Sequence, residues 1–362
     1  MNKRLFIDVH AIQTVPPSCV NRDDTGSPKT ATYGGVRRAR VSSQSWKKAI
    51  RTSFQNNFDE KGLGIRTKKI TELVADEIRK IDPNASDAMG MAVKVISAAG
   101  IKLEADSKKK DEDAIPETKA LFFISAKQAE NLARLACSDT YGKKEVQAAL
   151  NSEHGIDIAL FGRMVADDPS LNADASAQVA HAISTHKVDN EYDYFTAVDD
   201  RSPEDNAGAG MIGTVEFNSS TLYRYATVAI HDLFNQLSED AEATSNAVGE
   251  FIRAFVSSMP TGKQNTFANR TVPNAVLVCI REDQPVNLVG AFETPIMPDQ
   301  NSGGYVKKSI DALERYEHEV CSSFVPEPII SWHVGEGLNS FGDALDLKSM
   351  IERLEDYVRG KL

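Results

Sequence analysis

The 362-residue sequence is poor in cysteine and tryptophan and has no long apolar run. Its four cysteines, Cys19, Cys137, Cys279 and Cys321, are scattered, with no CxxC pair and no histidines beside them. That spacing argues against a disulfide framework or a zinc site and points to a reducing, cytoplasmic setting. No stretch approaches the roughly 18 apolar residues of a membrane helix. Asp8 and His10 interrupt the apolar segment that follows the basic start, so neither a secretory leader nor a membrane partner is expected. There is no GxGxxG and no Walker loop, so no nucleotide cofactor is expected. The seven histidines show no HxxxH spacing, and His181 and His186, five apart, miss the spacing of a shared helical face. No metal site is expected either.

What is present is an ordinary globular composition, 41% hydrophobic and 26% charged, long enough for one large domain with an insertion or for two moderate ones. The charge is uneven. The net charge is −11, yet residues 1–51 hold ten Lys/Arg and three Asp, a local balance of +7 against −18 for the remainder. Such asymmetry points to a local anionic partner, unless the arginines pair with carboxylates that the fold brings in.

Leu5–Ile12 reads as a strand, with Ile7, Val9 and Ala11 on one face and Phe6, Asp8, His10 and Ile12 on the other. The polar, Pro- and Gly-containing stretch TVPPSCVNRDDTGSPKT reads as a loop. A helix capped by Ser42 or Ser43 runs to about Phe58, with Trp46, Ala49, Ile50 and Phe54 on one side, Gln44, Lys48 and Arg51 opposite, and Lys47 at the border. Residues 60–185 read as mostly helical, with helices at Lys69–Ile81, Ser86–Ala98, Ala126–Cys137 and Ala175–Thr185, an exposed loop at Asp106–Glu117 and a short strand at Ile156–Leu160. Tyr192–Val198 and Thr214–Val228 read as a protruding hairpin or a mobile arm around the tip DDRSPEDNAGAGMIG. A helix at Asp240–Ser258, a strand at Ala275–Ile280, a helix at Tyr305–Cys321, a strand at Ile329–Val334 and a final helix at Leu345–Val358 follow. Without the helical block the order is strand, helix, two strands, helix, strand, the pattern of a ferredoxin-like α+β unit. No aromatic pattern for stacking bases on the sheet is found, which favours a groove beside it.

The segment Gly34–Arg51 concentrates Arg37, Arg38, Arg40, Lys47, Lys48 and Arg51 beside Gly34, Gly35 and the serines 42, 43 and 45. A helix N-terminus with hydroxyl donors and basic residues within the next two turns suits a phosphate, and the glycines would let backbone approach a ligand. The competing reading is a solvated amphipathic helix with a serine cap. Lys263 and Gln264, in PTGKQNTF, are a weaker second candidate at an edge of the same sheet. The pairs Asp23-Asp24 and Asp199-Asp200 invite a metal-nuclease reading, but adjacent residues rarely face one ion and turn formation is the commoner role. The apolar residues around Met164 and Phe195 are core unless exposed, in which case they could wedge between bases.

Several segments together resemble a known family: PSCVNRDDTGSPKTATYGGVRRARVSSQSWKKAIR, GIDIALFGRM, AHAISTHKVDNEYDYFTAVDD, GTVEFNSSTLYRYA and PTGKQNTFA. They look like the CasC family, the backbone subunit of the type I-E CRISPR surveillance complex, Cascade. The resemblance implies an RRM-like palm (residues 1–59 and 223–362), a helical fingers insertion (60–189) and a thumb hairpin (190–222). It implies a non-catalytic protein that polymerises along the spacer of a guide RNA. Its partners would be that RNA, the target DNA strand paired to it, further copies of itself and other Cascade subunits. Guide contacts then fall on Arg22, Lys29, Ser42, Gln44, Lys47 and Arg51, with Lys263 and Gln264 in a second palm loop. Lys48 joins this set from its place on the helix. Met164 would wedge against the guide, and Phe195 and Thr196 would lie near a displaced nucleotide. The tip at 199–213 has no assigned role. An alternative is a metal-dependent RNase using Asp199 or Asp23, by analogy with backbone subunits of other CRISPR types.

Overall fold

The computed structural model describes residues 4–59, 62–104, 115–138, 140–197, 211–300 and 303–362. The first strand, β1 (Phe6–Ser18), is longer than the expected Leu5–Ile12. Val15 continues the buried run, and a register shift between Val15 and Ser18 absorbs Pro16 and Pro17. β1 pairs antiparallel with β11 (Met211–Ala229) on one edge and β12 (Ala275–Arg281) on the other. Beyond β12 lie β13 (Ile330–Gly335) and the short parallel β14 (Asp343–Ala344). Beyond β11 lie β9 (Ala182–Ser184), β3 (Val36–Val41) and β2 (Thr30–Tyr33), while β8 (Ala177–Val179) and β10 (Glu191–Ala197) pair with other stretches of β11. The chain is thus α+β, with one large mixed sheet in the path β14-β13-β12-β1-β11-β9-β3-β2.

Both faces of β1 are covered. Ile7, Val9 and Ala11 join the largest core, under α1 (Ser43–Phe54), α8 (Ala241–Ser257) and α11 (Leu347–Lys361). Ile12 faces the other way, with Tyr223, Tyr225 and Leu277, under α10 (Val306–Ser323) and the 3-10 segment Leu288–Phe292. The aromatic residues of this second face are therefore buried and cannot stack bases. Asp8 and His10 are buried there too. Asp8 accepts from the Val286 N–H and the Tyr225 hydroxyl, both at 2.9 Å, yet burial still pushes its carboxyl up to about 6. Burial pushes the His10 imidazole down to about 3.

A separate core holds the helical block together: α2 (Ile70–Ile81), α3 (Ala88–Ala98), α4 (Ala126–Ser138) and α5 (Lys143–Asn151) bury Val74, Ile78, Val95, Leu132 and Val146 between them. Two small ladders flank it, β4 (Gly64–Thr67) with β7 (Phe122–Ser125) and β5 (Leu103–Glu104) with β6 (Glu117–Thr118). The short helices α6 (Ile156–Phe161), α7 (Ile230–Gln236) and α9 (Gln264–Phe267) complete the set.

Three expectations need correction. Ile156–Leu160 is helical, not extended: Gly155 and Gly162 bracket a helix whose residues Asp157–Phe161 are all buried, so no period shows. Ala175–Thr185 is not a helix but the interrupted strand β8–β9. The Ala180 N–H still donates to the Tyr225 carbonyl at 2.9 Å, and sheet pairing overrides the local alanine content. That interrupted strand, rather than Tyr192–Val198, is the second strand of the strand-helix-strand-strand-helix-strand order. Its neighbours run β12-β1-β11-β9, and β10 is an added strand paired with the far end of β11. Gly34 and Gly35 also serve the backbone. With φ of 58° and 75° they turn the β2–β3 hairpin, and a Cβ on Gly34 would collide with the Glu293 carbonyl oxygen. Residues 106–114 of the charged loop lie outside the described residues.

One buried cation fastens α1 to the sheet. Arg224, 1% exposed on β11, lies 3.7 Å from the centroid of a Trp46 ring and 4.3 Å from that of Phe255. It donates to Gln13 Oε1 at 2.6 Å and to the Phe255 carbonyl oxygen. Gln13 passes the connection on, donating to the carbonyl and hydroxyl oxygens of Thr271 at 3.0 and 3.1 Å. Burial without a balancing carboxylate among the described residues lowers the guanidinium to about 9.

Two predictions follow from these buried groups. Arg224→Ala leaves the Gln13 and Phe255 oxygens unpaired and a void against Trp46, and should cost about 3 kcal/mol or more. Urea denaturation checks this, and an unchanged midpoint contradicts it. The Asp8 carboxyl is raised from 3.8 to about 6, so its favourable contribution is complete below pH 3.8 and disappears as pH rises through 6. The stability of the wild type relative to Asp8→Asn should therefore fall between pH 4 and 7, by up to about 3 kcal/mol. A difference independent of pH contradicts that origin.

Candidate nucleic-acid interface

Ser42 caps α1 as the sequence suggests. Its Oγ accepts from the Ser45 N–H at 3.3 Å, and its own N–H donates to Asn21 Oδ1 at 2.9 Å. The cap thus ties the helix to the turn that follows β1. Trp46, Ile50 and Phe54 are buried, which leaves two polar flanks. Lys48 is exposed on the flank with Ser45 and Thr52. Lys47 and Arg51 are half-buried on the other flank. The Lys47 ammonium lies 5.7 Å from the Phe161 ring centroid, and the Arg51 guanidinium lies 4.4 Å from that of Phe123. Arg51 Nε donates to Asp157 Oδ2 at 3.0 Å. Lys47 and Lys48 therefore serve opposite sides of one helix. Gln44, one turn before Lys48, is exposed and touches Ser43 at 3.4 Å.

The first flank lines a cleft of about 690 Å³ whose other walls are the turn at 20–26 and the loop at 258–264. Here the structure brings together Arg22, Lys48 and Gln264, which the sequence places far apart. The two loops abut so closely that a Cβ on Gly262 would collide with the Val20 carbonyl oxygen. The turn is closed by a bridge between Arg22 and Pro28. Within it Asp23 Oδ1 accepts from the Thr25 N–H (2.9 Å), the Thr25 hydroxyl (2.7 Å) and the Ser27 N–H (3.0 Å). These bonds, the Thr25 hydroxyl foremost, hold its carboxyl below the usual range. Asp23 is a turn-former. Among the described residues no group of three or more His, Cys, Asp or Glu is placed to hold a metal ion, and Asp199 lies outside them. Asn56 and Arg270 also line the cleft. Sequence reading passed over both, because Asn56 follows the last turn of α1 and Arg270 sits in a long loop with no periodicity.

Other expected residues lie apart from the cleft. Lys29 is half-buried on the far side of the turn, beside Arg40 and Asn218. Arg40 contacts His181 at 3.3 Å. Burial, then Arg40 and Lys29, lower the His181 imidazole. Lys263 takes a left-handed conformation, φ 51°, at the start of α9, and its side chain is half-buried outside the cleft. Arg38 is not a surface charge: it is buried and donates to the carbonyls of Tyr33, Ser184 and Phe292.

Met164 is 85% exposed, on a footing fixed by its neighbour. Arg163 is buried and donates to the carbonyls of Leu171 and Leu150, each at 2.9 Å, and of Phe123 at 3.3 Å. Burial lowers its guanidinium to about 10. On the protruding hairpin Phe195 lies across Gly213, where a Cβ would strike the ring, and Thr196 pairs with Ile212. Tyr192, Tyr194, Met211 and Ile212 are exposed on the same hairpin. Its base is held by Phe217 against Phe267 of α9, at 5.8 Å between ring centroids. Residues 198–210 of the tip lie outside the described residues.

Among solved structures, the chain is similar to one described as "CRISPR RNA-guided surveillance complex, pre-nicking". The identity is 33%, covering 96% of this chain and 100% of that one, with a TM-score of 0.82. A second, described as "CRISPR RNA-guided surveillance complex", is 29% identical over 96% of this chain and 99% of that chain, with a TM-score of 0.72. No curated protein matches. No helix of the described residues is long and apolar enough to cross a membrane. The resemblance read from the segments above is upheld by a family model that spans residues 7–358, and the chain belongs to the family of CT1975-like proteins.

Proposed function

We propose that this protein is the backbone subunit of a type I-E CRISPR surveillance complex, a non-catalytic scaffold that polymerises along the spacer of a guide RNA in the cytoplasm. The observation that carries the reading is the cleft itself. Arg22, Lys48, Gln264 and Arg270 come from three segments to one groove beside the sheet, where Asp24 also stands and Asp23 is tied into its own turn. The occupant that fits is a single strand gripped through its phosphates, with its bases left free to pair.

On this reading the order β12-β1-β11-β9 with α1 and α8 is a ferredoxin-like, RRM-like palm, residues 1–59 and 223–362. The core of α2 to α5 belongs to a fingers insertion, 60–189, and the hairpin at 190–222 is the thumb. The palm contacts the guide through Arg22, Lys29, Gln44, Lys47, Lys48, Arg51 and Gln264. Ser42, at the cap of α1, and Lys263, in the second palm loop, add to these guide contacts. Met164 wedges against the guide, and Phe195 and Thr196 lie near a displaced nucleotide. The partners are the guide RNA, the target DNA strand that pairs with it, further copies of this chain and the other subunits of the complex.

The test is a binding titration with single-stranded RNA over a range of salt. Each phosphate contact contributes about 0.7 to the log–log slope. Arg22→Gln combined with Lys48→Gln should lower the slope by about 1.4 and weaken binding to all sequences alike. An unchanged slope contradicts the proposed grip. RNA incubated with the assembled protein and Mg²⁺ should stay intact. Cleavage that disappears in Asp23→Ala or Asp199→Ala contradicts the non-catalytic role and favours the RNase alternative.

A further inference from the structure

On the flank of α1 that faces away from the cleft, three cations converge from separate segments. Lys47 and Arg51 come from the helix and Arg66 from β4, where it stands opposite Phe123 in the β4–β7 ladder. The guanidinium groups of Arg51 and Arg66 lie 4.4 and 4.8 Å from the centroid of the Phe123 ring, and the Lys47 ammonium lies 5.7 Å from that of Phe161. One carboxylate serves the group. Asp157, with a side chain 3% exposed, accepts from Arg51 Nε at 3.0 Å and from the Gly64 N–H at 2.7 Å. It is thereby committed to Arg51. Among the described residues neither Lys47 nor Arg66 forms an ion pair with a carboxylate. Two aromatic faces fix the cations in place while leaving an excess of about two positive charges.

We propose that Arg66 joins Lys47 and Arg51, already read above as guide contacts, and completes with them a second phosphate-binding station on the flank of α1 opposite the cleft. The proposal rests on the RNA-binding reading above and adds Arg66, a residue of the helical insertion, to it. Burial lowers both the Lys47 ammonium and the Arg66 guanidinium, and the neighbouring cation lowers each further, Arg66 acting on Lys47 and Arg51 on Arg66, with Asp157 opposing part of the effect on Arg66. A phosphodiester anion relieves that repulsion, and arginine supplies planar paired donors for it. The station also joins the sheet-packed helix to the separate core of the insertion. A strand bound there braces the two against each other.

The experiment uses the full chain, a short single-stranded RNA that holds one protomer, and salt titrations of wild type, Arg66→Gln, Arg66→Lys and Lys48→Gln. Arg66 is exposed, so Arg66→Gln should keep the wild-type melting temperature. It should weaken RNA binding about 5- to 10-fold and lower the log–log slope by about 0.7, while Arg66→Lys keeps the slope. A wild-type slope in Arg66→Gln, with a reduced slope in Lys48→Gln, overturns the second station and leaves the cleft reading intact. Absence of salt-dependent RNA binding by the wild type overturns the reading on which both rest. A melting temperature that inorganic phosphate raises through Arg66, with no change in RNA slope, assigns the cluster to a free anion and overturns the proposal too.

Discussion

The arrangement of the molecule around α1 depends on a cation buried where hydrophobic packing alone would be simpler. Arg224 sits between the rings of Trp46 and Phe255 and reaches acceptors on β1 and α8. An unpaired guanidinium is costly to bury, and stacking on two aromatic faces plus two buried hydrogen bonds offsets much of that cost. What it secures is direction. Four elements meet at one side chain, and through Gln13 the connection extends to Thr271 in the loop after α9. The α1 wall of the cleft and the loop that carries Arg270 are therefore referenced to the same buried point. An apolar residue could fill the space but could not fix the helix azimuth that turns Lys48 toward the cleft and Lys47 away from it.

That azimuth gives the uneven charge of the sequence a spatial form. The basic segment splits three ways. Arg38 goes inward to carbonyl acceptors, Lys48 joins Arg22 at the cleft, and Lys47 and Arg51 turn to the aromatic shelf of Phe123 and Phe161. Charge that reads as one patch in the sequence is a structural cation, one groove wall and one opposite flank. On the proposed reading the acidic remainder limits adhesion to nucleic acid elsewhere.

Legibility in the sequence followed the range of the interactions. α1, α8 and α11 have long amphipathic stripes, and β12 a short continuous apolar run, so each was placed from local pattern. β8 and β9 have three residues each and are set by pairing with β11 about forty to fifty residues later, so alanine-rich composition misled. The β2–β3 turn was readable in principle, since Gly-Gly between short runs is a hairpin signal, but the arginines obscured the alternation. Ser42 and the exposure of Lys48 were legible because a helix cap and a helical stripe are local. The commitment of Asp157 to Arg51 was not, because 106 residues separate the partners. Arg66 had no signal at all. Its meaning comes from a helix, a ladder and a ring that meet only in the fold.

The central claim is that this chain assembles on one RNA strand held along α1. The most direct measurement is co-expression of the chain and its companion subunits with a CRISPR array, followed by purification and sizing of the bound nucleic acid. The account predicts a particle that contains several copies of the chain and an RNA of uniform guide length, and that falls apart on RNase treatment once the strand is cut. An assembly free of nucleic acid, or one that keeps its size after complete RNA digestion, would contradict it.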